Sequence, residues 1–231
     1  MRKVAKTAKT KKVYEGELSL TARYLQKIRK IVSKNCRKKL NESMAARLTN
    51  VDFSILSQNC VGGMFYHDLG LRFLSPTINL FFDAENFIRF LERPQFYTTQ
   101  PLRMIHLDES PYPLGQLDDV TIHFNHYHRD YASDNECIQK WNDRVARIRW
   151  ENLYVIATDR DGMNSELMAR FNQLPYRKIM YVARPYGQYP WAIYLPAFAG
   201  RPFVGTITGI ANFKGERYYE TNFDLIDWIN N

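Results

Sequence analysis

The sequence predicts an α/β fold: a largely parallel or mixed sheet covered by helices, preceded by a basic amphipathic N-terminal helix. Three observations predict it. Short apolar runs alternate along the chain with segments of helical period, the pattern of crossover connections. At 231 residues the chain can bury a core without a metal or disulfide staple. Basic charge also collects at one end. Met1 to Asn50 holds 15 Lys+Arg against 3 Asp+Glu, leaving 17 against 21 for the rest, so balances of +12 and −4 make up the overall +8. A slightly acidic body is not built to grip nucleic acid, and no nucleic-acid partner is expected.

Residues 1–19 read as a disordered basic tail, 20–48 as the basic amphipathic helix and 50–231 as a single α/β domain. Within the helix, Tyr24, Leu25, Ile28, Ile31, Val32, Cys36 and Leu40 fall on one stripe. Arg23, Lys27, Lys30, Lys34, Arg37 and Lys38 fall mostly opposite. Such a helix lies on an anionic membrane surface through residues 20–40, or packs its stripe on the body; both readings stay open. No apolar run approaches the roughly 20 residues a membrane-spanning helix needs, and no secretory signal is expected. Three cysteines, Cys36, Cys60 and Cys137, form neither a disulfide framework nor a zinc pattern. A cytoplasmic protein, peripheral at the inner membrane face if the helix attaches there, is the expected setting.

The body alternates as follows. Asp52 to Ser57 reads as a strand, Met64 to Leu69 as a helical turn and Thr77 to Phe82 as a strand. Asp83 can cap a helix presenting Phe87, Ile88, Phe90 and Leu91 and ended by Pro94. Arg103 to Leu107 and Val120 to Tyr127 read as strands, Ser133 to Ile148 as a helix, Leu153 to Thr158 as a strand and Asn164 to Leu174 as a helix. Arg177 to Ala183 and Trp191 to Leu195 are the last strands, and Phe223 to Ile229 closes the chain as a helix.

Ligands of open α/β sheets bind outside the carboxyl ends of the strands, and three polar loops sit at such ends. The first is Ser57-Gln58-Asn59-Cys60-Val61-Gly62-Gly63, where paired glycines permit positive φ or close approach to a ligand. A helix start there would lower the pKa of Cys60, a candidate nucleophile; a small buried side chain is the bland alternative. The second runs from His123 through Asn125, His126 and His128 to Asp130. As a strand it would put His123, Asn125 and Tyr127 on one face and His126 with His128 on the other, with one histidine available as a general base. The third, Thr158-Asp159-Arg160-Asp161-Gly162, offers a carboxylate to orient a histidine and a guanidinium fork for phosphate or carboxylate. A turn with a salt bridge explains it equally well. Cys60 as nucleophile, His126 as base and Asp159 as orienter would make a coherent acyl-transfer constellation. No residue set is expected to ligate a metal.

The motifs resemble a bacterial family of unknown function. They are Ile55-Leu56-Ser57-Gln58-Asn59-Cys60-Val61-Gly62-Gly63, Tyr66, Leu69-Gly70-Leu71, Ser75-Pro76-Thr77 and Asn79-Leu80-Phe81. Ile122-His123-Phe124 with His126-Tyr127, Lys140-Trp141-Asn142 with Arg144, the Asp159 loop, Leu174-Pro175-Tyr176 and Arg184-Pro185-Tyr186 continue it in order. This is the domain of unknown function numbered nineteen-nineteen, whose members are often labelled exopolysaccharide or capsule biosynthesis proteins, sometimes acetyltransferases. Met163 and Arg184 depart from that family's usual residues. The resemblance implies transfer of an acyl group to a glycan or its nucleotide- or lipid-linked precursor, with acetyl-coenzyme A as the natural donor. Ser57, Gln58, Asn59, Gly62, Gly63, His123, Asn125, Arg160 and Asp161 would hold the substrate. The rivals are a glycosyltransferase using Asp159 and Asp161 with a divalent metal, and a non-catalytic module stacking sugars on Tyr181, Tyr186, Tyr189, Trp191, Tyr194 and Phe198.

Overall fold

The computed structural model describes residues 20–231, with side chains described from Lys34 onward. The expected tail over 1–19, and the side chains of the stripe up to Val32, lie outside the described residues. Helix α1 spans Leu20–Arg47. Its last turns bury Met44 against the body, followed by Leu48 just past the helix end. One expectation is corrected here: Arg37, placed on the solvent face by its period, is 7% exposed. The reason is tertiary, because three acceptors from distant segments meet its guanidinium. Arg37 Nη2 donates to Asp68 Oδ2 at 2.8 Å and to Glu220 Oε1 at 2.8 Å, and Nη1 donates to the carbonyl of Gly215 at 3.2 Å.

Strand β1 covers Ser54–Ser57 and helix α2 Val61–Asp68. The helix begins three residues before the expected Met64, because side chains take up its first free amides. Asn59 Oδ1 accepts from the Val61 N–H at 3.2 Å and Ser57 Oγ from the Gly62 N–H at 3.3 Å. Helix α3 is Ala84–Glu92, with Asp83 accepting from the Asn86 N–H at 2.9 Å as its cap. Pro94 does end α3, but it also opens α4, Pro94–Thr99, at the position where a missing N–H costs nothing.

The expected strand over Thr77 to Phe82 is absent; only Phe81 bridges to His123. Asn79, at φ 59°, sits in the left-handed region and breaks the extended run. Strands β2 (Arg103–Ile105), β3 (Leu114–Leu117) and β4 (Val120–His123) form a separate antiparallel sheet. β3, with Gly and Gln in its middle, carries no strand signal. β4 ends at His123 and not at Tyr127, so the expected face alternation beyond it does not exist. The chain turns instead into a short helix α5, Tyr127–Asp130.

Helix α6 (Asp134–Val145) is followed by β5 (Leu153–Thr158), α7 (Ser165–Gln173), β6 (Arg177–Val182), β7 (Ala192–Tyr194) and α8 (Leu225–Asn230). The main sheet has the order β1-β5-β6-β7 with every pair parallel. Every residue of β1 and β5 is buried, as a parallel sheet covered on both faces requires. Alternate residues feed the two halves of the core. Leu56, Val155, Ala157, Met180 and Val182 pack with α3, α6 and α7. Ile55, Tyr154, Ile156, Ile179 and Tyr181 pack with α1, α2 and α8. Among the described residues no helix is long and apolar enough to cross a membrane.

Candidate active site

Beyond the carboxyl ends of β1 and β5 lies a cleft of about 420 Å³. Its walls include Asn59, Cys60 and Met64 from the start of α2, and Asn79 and Phe81 from the segment that failed to become a strand. Asn125, His126 and Arg129 follow β4, Arg160 and Asp161 follow β5, and Gly205 to Thr208 close the far side.

Cys60 is the N-terminal cap residue of α2. Its Sγ lies 3.5 Å from His126 Nε2, within reach of a weak S–H···N hydrogen bond. Their protonation states follow from burial. Burial pushes the Cys60 thiol up, against the partial relief of Arg129 and Arg160. Burial holds the His126 imidazole below its ordinary value, and Arg129 pushes the same way. The lowered thiol pKa expected from a helix start is therefore corrected. The first two amides of α2 are already satisfied by Asn59 and Ser57, so they offer little to a thiolate. Both shifts favour a neutral thiol beside a neutral imidazole.

Asp159 does not join them. Its Oδ2 accepts from the Ala183 N–H at 2.7 Å and its Oδ1 from the Val204 N–H at 2.8 Å. Burial nonetheless raises its pKa. It ties β6 and the segment ahead of Gly205 to the end of β5, so it shapes the cleft wall without touching the imidazole. The carboxylate whose charge acts on His126 is Asp130, which accepts from Asn79 Nδ2 at 2.8 Å and pairs with Arg129 at 2.7 Å. No described side chain bonds His126 Nδ1.

The other expected ligand contacts divide. Asn59, Asn125, Arg160 and Asp161 line the cleft. Asn59 Nδ2 also donates to Thr158 Oγ1 at 3.2 Å, whereas Asn125 has no side-chain partner among the described residues. Ser57 is fully buried and serves α2, and Gln58 is fully buried with its Oε1 accepting from the N–H and hydroxyl of Thr158 at 2.8 and 2.9 Å. Gly62 and Gly63 have no positive φ. They let α2 lie tightly on its neighbours: a Cβ on Gly62 would stand 2.9 Å from Ser57 Cβ, and one on Gly63 3.3 Å from Ile78 Cγ2. His123 stacks on Phe81 with centroids 4.3 Å apart and faces Asp83 at 3.9 Å, outside the cleft. His128 is exposed.

Asp161 (φ 57°) and Gly162 (φ 92°) make the turn that their dipeptide predicts, and the Asp161 carbonyl accepts from the Ala84 N–H at 2.8 Å. Among the described residues no group of three His, Cys, Asp or Glu side chains could hold a metal ion. Of the aromatics expected to stack on sugars, Tyr181, Trp191 and Phe198 are core.

Sequence reasoning missed Met64, Arg129 and Gly205 to Thr208 as wall residues. It met Asn79 and Phe81 only as motif letters. Arg129 was legible as part of the polar run after β4. The Gly205 segment carries no signal, because it reaches the sheet edge through partners far away in sequence, Asp159 to the Val204 N–H and Arg160 to the Gly205 carbonyl.

Residues 31–230 match the family described as "Domain of unknown function (DUF1919)". An uncharacterized protein of Haemophilus influenzae (strain ATCC 51907 / DSM 11121 / KW20 / Rd) is 37% identical over 206 residues, 89% of this chain and 97% of that one.

Proposed function

The chain belongs to the DUF1919 family, and on that premise we propose that it transfers an acyl group from an activated donor to a glycan or its activated precursor, using Cys60 as nucleophile and His126 as base. The observation that carries this reading is the 3.5 Å contact between Cys60 Sγ and His126 Nε2 at the wall of a ligand-sized cleft.

The chemistry balances with these two groups alone. Sγ attacks the carbonyl of a thioester such as acetyl-coenzyme A while Nε2 takes the thiol proton. The tetrahedral intermediate collapses, the donor thiolate leaves, and the imidazolium protonates it. An acceptor hydroxyl then attacks the Cys60 thioester. Nε2 takes the hydroxyl proton and returns it to the departing Cys60 thiolate. Asn59, Asn125 and Asp161 offer donors and acceptors for sugar hydroxyls from the same walls.

Metal-dependent glycosyl transfer is less well supported, since both Asp159 oxygens are committed to backbone amides and Asp161 pairs with Arg160 at 3.0 Å. Attachment to an anionic membrane through residues 20–40 belongs to the same proposal. Lys34, Lys38 and Lys39 remain exposed beside the buried Arg37.

The test is acid-quenched intact mass after incubation with acetyl-coenzyme A or p-nitrophenyl acetate. An acetyl adduct should map to Cys60, vanish in Cys60→Ala and form about 100-fold more slowly in His126→Gln. An adduct on another residue, no adduct in the wild type, or an unchanged rate in His126→Gln would refute it.

A further inference from the structure

We infer that the cleft binds its ligand by an anionic group held between the guanidiniums of Arg129 and Arg160, beside Cys60; this rests on the cleft described above, and names its substrate class as phosphate- or carboxylate-bearing. The two arginines follow strands of different sheets, Arg129 in α5 after β4 and Arg160 in the loop after β5, and both line the same cavity. Both lie close enough to Cys60 for their charge to act on its thiol.

Each guanidinium has one edge engaged and one left over. Arg129 gives Nε and Nη2 to Asp130, at 2.7 and 3.1 Å, which leaves Nη1 without a partner among the described residues. Arg160 gives Nη1 to the Gly205 carbonyl at a long 3.4 Å, and Nη2 has no partner among the described residues. Its Nε is sealed from solvent. It lies 3.0 Å from Asp161 Oδ2 but makes no aligned hydrogen bond.

Arg129 is anchored along one edge by Asp130 and Arg160 by its bond to the Gly205 carbonyl, and neither guanidinium is saturated. Asp130 is itself held by Asn79 Nδ2, and the Asp161 backbone is held by its bond to Ala84. A guanidinium pre-set in this way loses little side-chain entropy on meeting a planar or tetrahedral oxyanion. Asp130 and Asp161 offset part of this charge, so what the pair offers an anion is unfilled N–H edges lining one cavity. A neutral glycan would leave both free edges unpaired. A diphosphate, whether from an acyl donor or from a nucleotide-linked sugar, would satisfy them, and so would the carboxylate of an acidic sugar.

Alkylation of Cys60 reads this charge preference without requiring turnover. Iodoacetate (anionic) and iodoacetamide (neutral) are compared at the Cys60 peptide by mass spectrometry, with glutathione giving the intrinsic ratio. The iodoacetate-to-iodoacetamide rate ratio at Cys60 should exceed that of glutathione by about tenfold at low salt and fall toward it in high salt. Arg129→Gln and Arg160→Gln should each lower the ratio, and the double variant should bring it to the glutathione value. Inorganic pyrophosphate and glucuronate are the competing probes: protection by pyrophosphate assigns a phosphorylated ligand, and protection by glucuronate an acidic sugar. A wild-type ratio at or below that of glutathione, a ratio unmoved by the substitutions, or protection by neither anion overturns the inference. Acetylation of Cys60 without this charge preference would sink the anion site alone. Charge-selective alkylation without acetylation would sink the acyl-transfer reading alone.

Discussion

Replacing Arg37 by Met should destabilise the protein far more than replacing any neighbouring basic residue of α1. The side chain is nearly sealed, and its guanidinium meets Asp68, Glu220 and the Gly215 carbonyl from two distant stretches of the chain. Removing one member of a buried ion network typically costs 3–5 kcal/mol, because the charges left behind stay desolvated. Here the loss is partly cushioned. Asp68 keeps two bonds from Arg217, at 2.6 and 3.1 Å, and Glu220 keeps the Arg217 N–H at 2.8 Å. The expected cost is therefore about 3 kcal/mol, at the low end of that range, or roughly 6–12 °C in Tm for a body of this size. Urea denaturation of Arg37→Met beside Lys38→Met, whose side chain is 80% exposed, isolates the effect from loss of charge as such.

The acid limb adds a signed check. Burial alone would raise the Asp68 pKa, but Arg217 and Arg37 outweigh it and hold the carboxyl below the usual range. Stability from a depressed carboxyl is present above its unfolded pKa and is lost as pH falls through the folded value. Arg37→Met should shrink that depression, so acid unfolding begins at a higher pH. A stability loss under about 1 kcal/mol, the range of exposed pairs, would refute the reasoning.

Three further outcomes follow from the geometry. Because burial raises the Cys60 thiol and lowers the His126 imidazole, iodoacetamide alkylation of Cys60 should keep rising through pH 9; a plateau already reached at pH 6 would mean a preformed ion pair. Asp159→Asn must turn an amide N–H toward a buried backbone N–H, for a loss of about 1–3 kcal/mol by urea denaturation, and manganese should leave Tm unchanged in both proteins. A manganese shift in the wild type that disappears in Asp159→Asn would restore the metal reading. Charge reversal at Lys34, Lys38 and Lys39 should weaken binding to phosphatidylserine vesicles, at about 1 kcal/mol per cation near the surface, with Tm unchanged. Equal vesicle binding by the reversed protein would remove the membrane proposal. A deletion through Leu40 is not a clean test, because it also removes the buried Arg37.

The sequence by itself determined the elements whose signal is local. β5 was read to the residue as Leu153–Thr158, since a six-residue apolar run bounded by turn chemistry has few alternatives. Asp83 was legible as a helix cap, and Ser133 and Asn164, read as helix starts, prove to be the caps one residue ahead, because a cap is a bond to an amide two or three positions away. The Cys60 loop and His126 were legible as strand-end candidates for the same reason. Whatever depends on partners distant in sequence was decided only by the tertiary structure. The burial of Arg37 comes from segments 31 and 183 positions away. The glycine pair was read as room for a ligand and proves to be room for a helix on a strand, because the wall it meets is Ser57 and Ile55 with Ile78 beyond them. Asp159 had the right residue type at the right strand end, yet the amides of Ala183 and Val204 reach its oxygens first. Cys60 and His126, 66 positions apart, meet because Phe81 bridges to His123 and brings the end of β4 to the edge of the main sheet. Residue chemistry and periodicity are properties of a short stretch of chain; which groups end up sharing a hydrogen bond is a property of the packed whole.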